Sequence, residues 1–563
     1  MLHRLKDTLA EALKEAVQRA IQSGELKIQE VPEISWETPS EAAFGDLSTT
    51  IAFSIAREIK KNPREVATAV AAQLGLDPNL VEKAEVAGPG YINFFISPAC
   101  WRSAIPTILA QGKDYGRSEV GKGRRVQVEF VSANPTGPLH VGHGRGAAIG
   151  DSLANLLQAV GFSVEREYYI NDAGTQMEIL GRSVWARYQE ELGREAAFPE
   201  NGYKGGYIRD IARRLVSDYG ERFLAVPEGE TIDLMSAYAS RIILGEIKEV
   251  LEEFGVKFDS WFSEKGLYGE GDPLEKFRRF VQVRELIAKG QIYEYEGALW
   301  FGTAVFGDDK DRVIIRSNEA PTYFASDILY HINKFERGFD KAIDIWGADH
   351  HGYVPRLKAA VKALGYPPDA LEILLVQLVR LLRGGRPVAM STRAGEFVTL
   401  AEVLAEVGKD AARYIFLTRR SDSPLDFDLE LAKAQSLENP VYYVQYAHAR
   451  LSSILREARK AGFPETYGDA DLSLLSLPEE VSLIKKLAFY PEVVLGAALF
   501  CEPHRIPAYL QELAAQLHSY YNKHRVISKD RALSLARLAL VASIRIVISN
   551  ALSVLGVTAP ERM

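Results

Sequence analysis

The sequence predicts an α/β protein built on a parallel sheet, with an α+β segment ahead of it and an all-α segment after it. Three observations carry this. Residues 124–131 (RRVQVEFV) alternate apolar and polar with a period near two, as a half-buried strand does. After a loop, Val141, Ile149, Leu153, Leu156, Leu157 and Val160 recur at helical spacing, and FSVEREYYI (162–170) reads as a second strand, so strand, helix and strand make one parallel crossover unit. From about residue 436 onward the pattern is almost wholly helical.

Taken in order, the chain opens with MLHRLKDTLAEALKEAVQRAI, an amphipathic helix in which Lys or Glu interrupts the apolar residues every few positions, unlike a signal peptide. LSTTIAFSIAREIKK and PREVATAVAAQLG read as helices, KAEVAGPGYINFFIS (83–97) as strand, and the polar QGKDYGRSEVGKGRR as a boundary. Three domains are expected: residues 1–115; 116–435, with a Tyr- and charge-rich insertion near 185–300; and 436–563. Late in the second, ALEILLVQLVRLL (370–382) reads as an apolar helix that leads into a glycine-rich basic turn, followed by the amphipathic LAEVLAEVG.

A chain of 563 residues with 47% hydrophobic and 25% charged content has the composition of a soluble globular protein. Two distant cysteines, Cys100 and Cys501, exclude a disulfide framework and a zinc quartet. No apolar run is expected to approach the roughly twenty residues that cross a bilayer, and the cytoplasm is the expected compartment. Net charge is −8, which does not announce nucleic acid. Residues 440–563, however, hold 14 Lys+Arg against 11 Asp+Glu. Tyr442, Tyr443, Tyr446, His448 and Arg450, and again His518, Tyr520, Tyr521, Lys523, His524 and Arg525, interleave aromatic and basic side chains that can stack on splayed RNA bases.

The most informative stretch is ANPTGPLHVGH (133–143), which links the first strand of the crossover to its helix. A helix start offers unpaired N–H groups and partial positive charge, and Gly142, Gly144 and Gly146 remove the Cβ atoms that would hold a ligand off the backbone. His140 and His143, three apart, stand on one side of the first turn and can donate hydrogen bonds to phosphate oxygens as charge shifts in a displacement. Zinc binding fits poorly, since helical zinc pairs usually sit four apart beside a Glu. A dinucleotide loop would want a tight turn where this chain has a long proline-bearing loop. Glycines kept for helix–sheet packing alone are the remaining alternative. A second segment, Arg383 to Gly395 (RGGRPVAMSTRAG), is glycine-rich and basic enough to close over a triphosphate.

The H-x-G-H spacing resembles the HIGH signature of class I aminoacyl-tRNA synthetases, and the basic loop sits where their KMSKS loop does, with Ala389 and Thr392 in place of its two lysines. EFVSANPTGPLHVGHGRGAAIGD, YYINDAGTQM (168–177), PTYFASDILYH (321–331), IWGADHHGYVPRLKAA (345–360), MSTRAGEFVTL (390–400), ENPVYYVQYAHARLSSI (438–454) and the terminal LGVTAPERM together resemble arginyl-tRNA synthetases over nearly the whole chain.

That resemblance implies a Rossmann-like catalytic domain between an additional N-terminal domain leaning on the tRNA elbow and a helical anticodon-binding domain. It implies ATP-dependent conversion of L-arginine to arginyl-adenylate, with Mg²⁺ on the phosphates and no protein metal site, then transfer to the 3′ end of tRNA(Arg) with release of AMP and pyrophosphate, by a monomer. His140 and His143 would be catalytic donors, with Arg386 and Arg393 supplying the cationic character of the missing lysines. ATP would lie on Pro135, Gly137, His140, Gly142, His143, Gly347, Asp349, His350, Met390 and Ser391. A planar guanidinium is best held by a carboxylate fork; the resemblance assigns this to Asp327, four residues after Tyr323 on one helix face, with Glu129 and Asn134 on the rest of the amino acid. Tyr443, Tyr446, Arg450 and Arg525 would meet tRNA. A metal shared by Asp349, His350 and His351 is disfavoured if the three splay along a strand. A nucleotidyl transferase for a small metabolite has no need of the helical domain, and a non-catalytic RNA-binding relative has only the missing lysines in its favour.

Overall fold

The computed structural model describes residues 2–39, 41–268, 273–388 and 398–563. Five parallel strands form its centre: β1 (Arg125–Glu129), β2 (Ser163–Ile170), β3 (Ser260–Ser263), β4 (Lys341–Gly347) and β5 (Leu371–Val376). They lie in the order β5-β4-β1-β2-β3. The chain leaves β1 on one side for β2 through helix α1 (Val141–Ala159), and returns to the other side of β1 as β4. The sheet therefore has its topological switch point between β1 and β4, and the crevice beyond the C-terminal ends of these two strands is where such sheets take ligands.

β1 is buried on both faces from Val126 to Glu129, whereas its period-two pattern suggested a half-exposed strand. The polar residues of that pattern, Gln127 and Glu129, face a second polar layer and not water. Parallel strands are covered on both sides, so alternation here marks buried partners. A second correction concerns residues 370–382: they form not a helix but β5 and a strand Val379–Arg383. β5 pairs with β4 along its whole length, and Val379 and Leu381 are buried while Arg380 between them is exposed. A short apolar run carries no period that separates a buried strand from a buried helix.

The N-terminal region packs helix Leu2–Gln22 and two shorter helices on a four-stranded antiparallel sheet. Leu47–Thr49, read as the start of a helix, is a strand of that sheet paired with Ile92–Phe94; the helix begins at Ile51. Residues 83–97 contain most of a hairpin, Val81–Ala87 and Tyr91–Ile96, turned at Gly88 and Gly90, whose positive φ angles of 52° and 148° suit glycine. Three helices, Thr175–Glu191, Gly206–Tyr219 and Glu228–Glu253, lie between β2 and β3, and a three-stranded antiparallel sheet, Ile292–Tyr295, Ala298–Phe301 and Arg312–Ile315, precedes helix α2 (Tyr323–Glu336).

The C-terminal region is helical. Contrary to the sequence expectation, helix Arg531–Val554 is long and apolar enough to cross a bilayer, but 67% of its apolar window is buried inside the protein. Its Arg537 reaches the fully buried Glu480 at 2.8 Å, the kind of pairing a core helix needs. Buried Arg413 joins three parts of the fold: it pairs with Asp151 on α1 and donates to the carbonyls of Leu555 at 2.8 Å and Phe254 at 3.2 Å. Removing one member of such a buried set leaves an uncompensated charge. Lys6 meets Glu492 at 2.8 Å and so ties the N-terminal region to the C-terminal helices.

Candidate active site

The loop leaving β1 is held from several sides. Val131 and Ser132 have φ of 69° and 41°, a left-handed stretch that a β-branched residue adopts only when its surroundings impose it. Ser132 Oγ donates to Glu129 at 2.9 Å and accepts the Tyr169 N–H at 3.1 Å. Tyr168 OH donates to the Ala133 carbonyl at 2.9 Å and Tyr207 OH to that of Thr136 at 2.7 Å. A Cβ on Gly137 would stand 3.0 Å from the Tyr207 oxygen, so glycine there lets the tyrosine close on the loop. Asn134 is bonded through its amide to Gln176, and Pro135 is buried beneath the loop.

His140 is the N-cap of α1. Its Nδ1 accepts the N–H groups of Gly142 (3.1 Å) and His143 (3.4 Å), while His143 Nδ1 accepts the N–H of His140 at 3.2 Å. This is a capping box made of two imidazoles. With Nδ1 accepting in both rings, the ring proton resides on Nε2, so each histidine is a neutral donor at its outer nitrogen. The rings stack at 3.7 Å. Burial lowers the His140 pKa, and burial together with the neighbouring His140 pulls His143 down to about 3.

The glycines divide. Gly142 packs on the His140 ring and Gly146 has open space where a Cβ would go. Gly144 is different: a Cβ there would stand 2.6 Å from Leu400, and one on Gly150 would enter the Phe130 ring, so these two serve packing and not ligand approach. The Leu400 contact belongs to a stitch in which the Leu400 N–H donates to the Leu139 carbonyl at 2.7 Å and His140 bridges to Thr399. Thr399 in turn caps helix Leu400–Val407 with Glu402. The chain emerging from the basic loop is thus fastened to the start of α1. Met390, Ser391 and Arg393 lie outside the described residues. Arg386 is exposed on a tight hairpin, paired in register with Arg383 across Gly384 and Gly385 (φ 58° and 77°). Asp428 accepts both glycine N–H groups at 3.0 and 2.6 Å, and Arg383 is taken up by Glu406 and Glu430. Of the two arginines, Arg386 has no carboxylate partner among the described residues.

Beyond β4, Gly347 leads into a 3₁₀ turn, Ala348–Tyr353, in place of the strand from which the splayed geometry of Asp349, His350 and His351 was argued. Asp349 and His350 are exposed and 3.6 Å apart, and no group of three metal-ligating side chains stands together among the described residues. Tyr353, at the end of this turn, donates its hydroxyl to Asp327. Tyr323 opens α2 with 56% of its surface exposed, and half-buried Asp327 follows one turn later on the same face. Burial raises the Asp327 pKa, against the opposing pull of the Tyr353 hydroxyl. Glu264, 5% exposed just after β3, bonds to Ser326 and Tyr169 and feels Asp327; burial raises it too.

Behind Asp327, α2 carries His331 and Lys334 onto the sheet. Lys334, fully buried, donates to Glu129 at 2.6 Å and Asp344 at 2.7 Å, and His331 Nε2 lies 2.9 Å from Asp344. Next to them Glu167 is held below the usual carboxylate range: its burial is outweighed by Arg337 (2.6 Å) and the Tyr330 hydroxyl (2.6 Å).

Far from the sheet, a groove of about 930 Å³ separates helix Pro440–Lys460 from residues 521–527. Tyr446, Arg450 and Arg525 line it together with Tyr521, His524 and Met563. Arg450 donates to the Tyr446 hydroxyl at 2.7 Å and lies 4.1 Å over the Tyr521 ring. Tyr443 is not among the lining residues; it packs on His518 at 4.7 Å. His448 is buried and bonds to the Pro560 carbonyl at 2.8 Å.

Comparison with known proteins decides what this arrangement belongs to. Residues 3–96 match the arginyl tRNA synthetase N terminal domain, 104–426 the tRNA synthetases class I (R) catalytic domain, and 444–563 the DALR anticodon binding domain. The chain belongs to the arginyl-tRNA synthetases. An arginine–tRNA ligase of Geobacter sp. (strain M21) is 54% identical over 560 residues, covering 99% of this chain and 100% of that protein. One from Desulforamulus reducens is 48% identical over 564 residues, covering 100% of both. Among solved structures, a Campylobacter jejuni protein described as a putative arginyl-tRNA synthetase superposes with a TM-score of 0.74 at 37% identity, covering 83% of this chain and 100% of that one. Thermus thermophilus arginyl-tRNA synthetase gives 0.73 at 24% identity over 99% and 100%, a likeness of fold.

In this synthetase the sequence reading named the two histidines, the loop and the Tyr323–Asp327 face; it did not name Lys334, His331, Asp344, Tyr353 and Glu264, which the structure places beside them. His331 and Lys334 left a signal only as the continuation of a polar row from Asp327, spaced four and three apart along one face of the helix.

Proposed function

We propose that this arginine–tRNA ligase activates L-arginine at the β1–β4 switch point and carries the adenylate there until the tRNA end arrives. The observation that carries the reading is the double-histidine cap: two neutral imidazoles whose inner nitrogens are spent on the helix, so their outer N–H groups are the donors for phosphate. The arginine carboxylate attacks the ATP α-phosphate in line, and pyrophosphate leaves. His140 and His143 hydrogen-bond the phosphate oxygens as charge moves, and the start of α1 adds its N–H groups and dipole. Mg²⁺ arrives on the triphosphate. Pro135, Gly137 and Gly142 shape the bed for ATP, with Gly347, Asp349 and His350 beside the adenosine. Arg386, with Arg393, supplies the charge of the missing lysines. The tRNA terminal ribose hydroxyl then attacks the acyl carbon and releases AMP.

Asp327 and Tyr323 take the guanidinium, with Glu264 as a second carboxylate close behind; Glu129 takes the α-ammonium and Asn134 the neighbouring carboxylate. A pocket with that many carboxylates suits a dication and disfavours amino acids of one positive charge.

The groove at Tyr446, Arg450 and Arg525 is read as the anticodon platform, with Tyr443 supporting it, and residues 1–115 as the elbow contact. Arg450→Ala is expected to raise the KM for tRNA by about five- to hundredfold, the range of one lost base stack, while the arginine KM stays put. Equal effects on both would remove the groove from tRNA binding. A monomer acting in the cytoplasm completes the reading, and its mass in solution checks the first part.

The deciding experiment is charging of unfractionated tRNA with each of the twenty amino acids, ATP and Mg²⁺, alongside pyrophosphate exchange with and without tRNA. Arginine alone should be charged, and exchange should need tRNA because the basic loop lacks its lysines. Robust exchange without tRNA would overturn that dependence, and charging by another amino acid would overturn the pocket.

A further inference from the structure

Beneath the arginine pocket one buried ammonium is shared between two carboxylates. Lys334 is a single ammonium facing two carboxylates, Glu129 at the end of β1 and Asp344, its register partner on β4. Burial alone would strip its proton, but the two carboxylates hold it above the usual lysine range. Lys334 and His331 overcome the burial of Asp344 and keep it at about 2. Glu129, in contrast, is pushed upward by its burial and by Asp344, with Lys334 as the chief opposing charge. The Tyr330 ring lies 4.3 Å from the ammonium, and Glu167 on β2 is satisfied by Arg337, so neither adds a free charge. His331 donates from its two ring nitrogens to the Asp327 carbonyl at 2.8 Å and to Asp344 at 2.9 Å, so Asp344 is held twice, whereas Glu129, the carboxylate nearest the ligand crevice, leans on Lys334 alone among the buried cations. The Glu129 oxygens point two ways, Oε2 to Lys334 and Oε1 to Ser132 of the strained loop, and each retains a lone pair.

We propose that Lys334 is a positioning residue of the arginine site: its buried ammonium, shared between Glu129 and Asp344, fixes the Glu129 carboxylate in the orientation and charge state that receive the α-ammonium of arginine. The proposal rests on the reading of Glu129 as the α-ammonium ligand. Because Lys334 and Asp327 ride on one helix, the same element sets both ends of the substrate.

The test is the KM for arginine and, separately, for ATP, measured with saturating tRNA at pH 6, 7.5 and 9 for wild type, Lys334→Met, Lys334→Arg and Glu129→Gln. Without Lys334 the two carboxylates share a proton near neutrality, as adjacent buried acids do. In Lys334→Met the arginine KM should therefore rise by about tenfold or more at pH 6 and recover toward wild type at pH 9. Lys334→Arg should restore the flat profile, and the ATP KM should not move in either. Equal loss of arginine and ATP affinity at every pH would reduce Lys334 to a structural role, and an unchanged arginine KM would remove it from the site. A normal arginine KM in Glu129→Gln would instead defeat the reading of Glu129 itself. Should Lys334→Met not fold, Asp344→Asn serves: it removes the second carboxylate that holds the ammonium in place and should weaken arginine binding by about several-fold without pH dependence, and unchanged binding would overturn the proposal.

Discussion

Replacing His143 by Ala slows arginine activation by about ten- to thousandfold, the usual cost of one lost transition-state donor, measured as pyrophosphate exchange with tRNA present. The double cap makes this more than a deletion test, since each imidazole has an inner nitrogen that holds the helix and an outer one that works. His143→Asn retains an acceptor near the Nδ1 position and should keep thermal stability while losing rate. His143→Gln reaches toward the outer position and should recover part of the rate while losing about 0.5–2 kcal/mol of capping energy. Wild-type exchange in the Asn variant would remove His143 from catalysis.

The same geometry gives a pH dependence. The folded His143 pKa is about 3 against an ordinary 6.5, with burial as the main cause. Between those values the unfolded chain binds a proton that the folded one refuses, so stability falls as pH drops through that window and is fully present above it. Both pKa values lie below the ordinary histidine value, so above it the pair is neutral and the activation rate should show no acid limb from these two histidines there.

Asp327→Asn should lower kcat/KM for arginine by about two to four decades, corresponding to about 3–5 kcal/mol for a charge pair broken on one side, with the ATP KM close to wild type. Burial has raised the Asp327 pKa. Its carboxylate is therefore protonated at a higher pH than an ordinary Asp, and the arginine KM should climb on the acid side. Tyr353→Phe removes the hydroxyl that opposes this shift and should move the climb to higher pH. An Asn variant with an unchanged arginine KM would show that the guanidinium lies elsewhere, with Glu264 the next carboxylate to change.

Much of the site was legible in the chain because its signals are local. The crossover unit follows from period and punctuation; the histidine pair and the Tyr323–Asp327 face follow from helical spacing. The misreadings share a cause. ALEILLVQLVRLL became two strands because short apolar runs carry no period of their own, and pairing with β4 decided the matter. Gln127 and Glu129 looked solvent-facing because alternation reports polarity and is silent about what covers the polar face. Gly144 looked like a ligand contact until Leu400 was found against it. Arg383 counted toward the basic character of its segment, and only the fold shows that Glu406 and Glu430 take up its charge.

The sequence by itself determined the residues that must sit on one strand end, one helix turn or one helix face, because those relations are set by backbone geometry over a few positions. It also determined the family, through long strings in order. Only the tertiary structure decided the electrical state of the site: which histidine nitrogen faces outward, that Asp327 and Glu264 are pushed up by burial, and that Glu129 is held by a lysine 205 positions away. The physical reason is that desolvation and charge pairing depend on every neighbour in space, and those neighbours come from strands and helices that the chain brings together only when it folds.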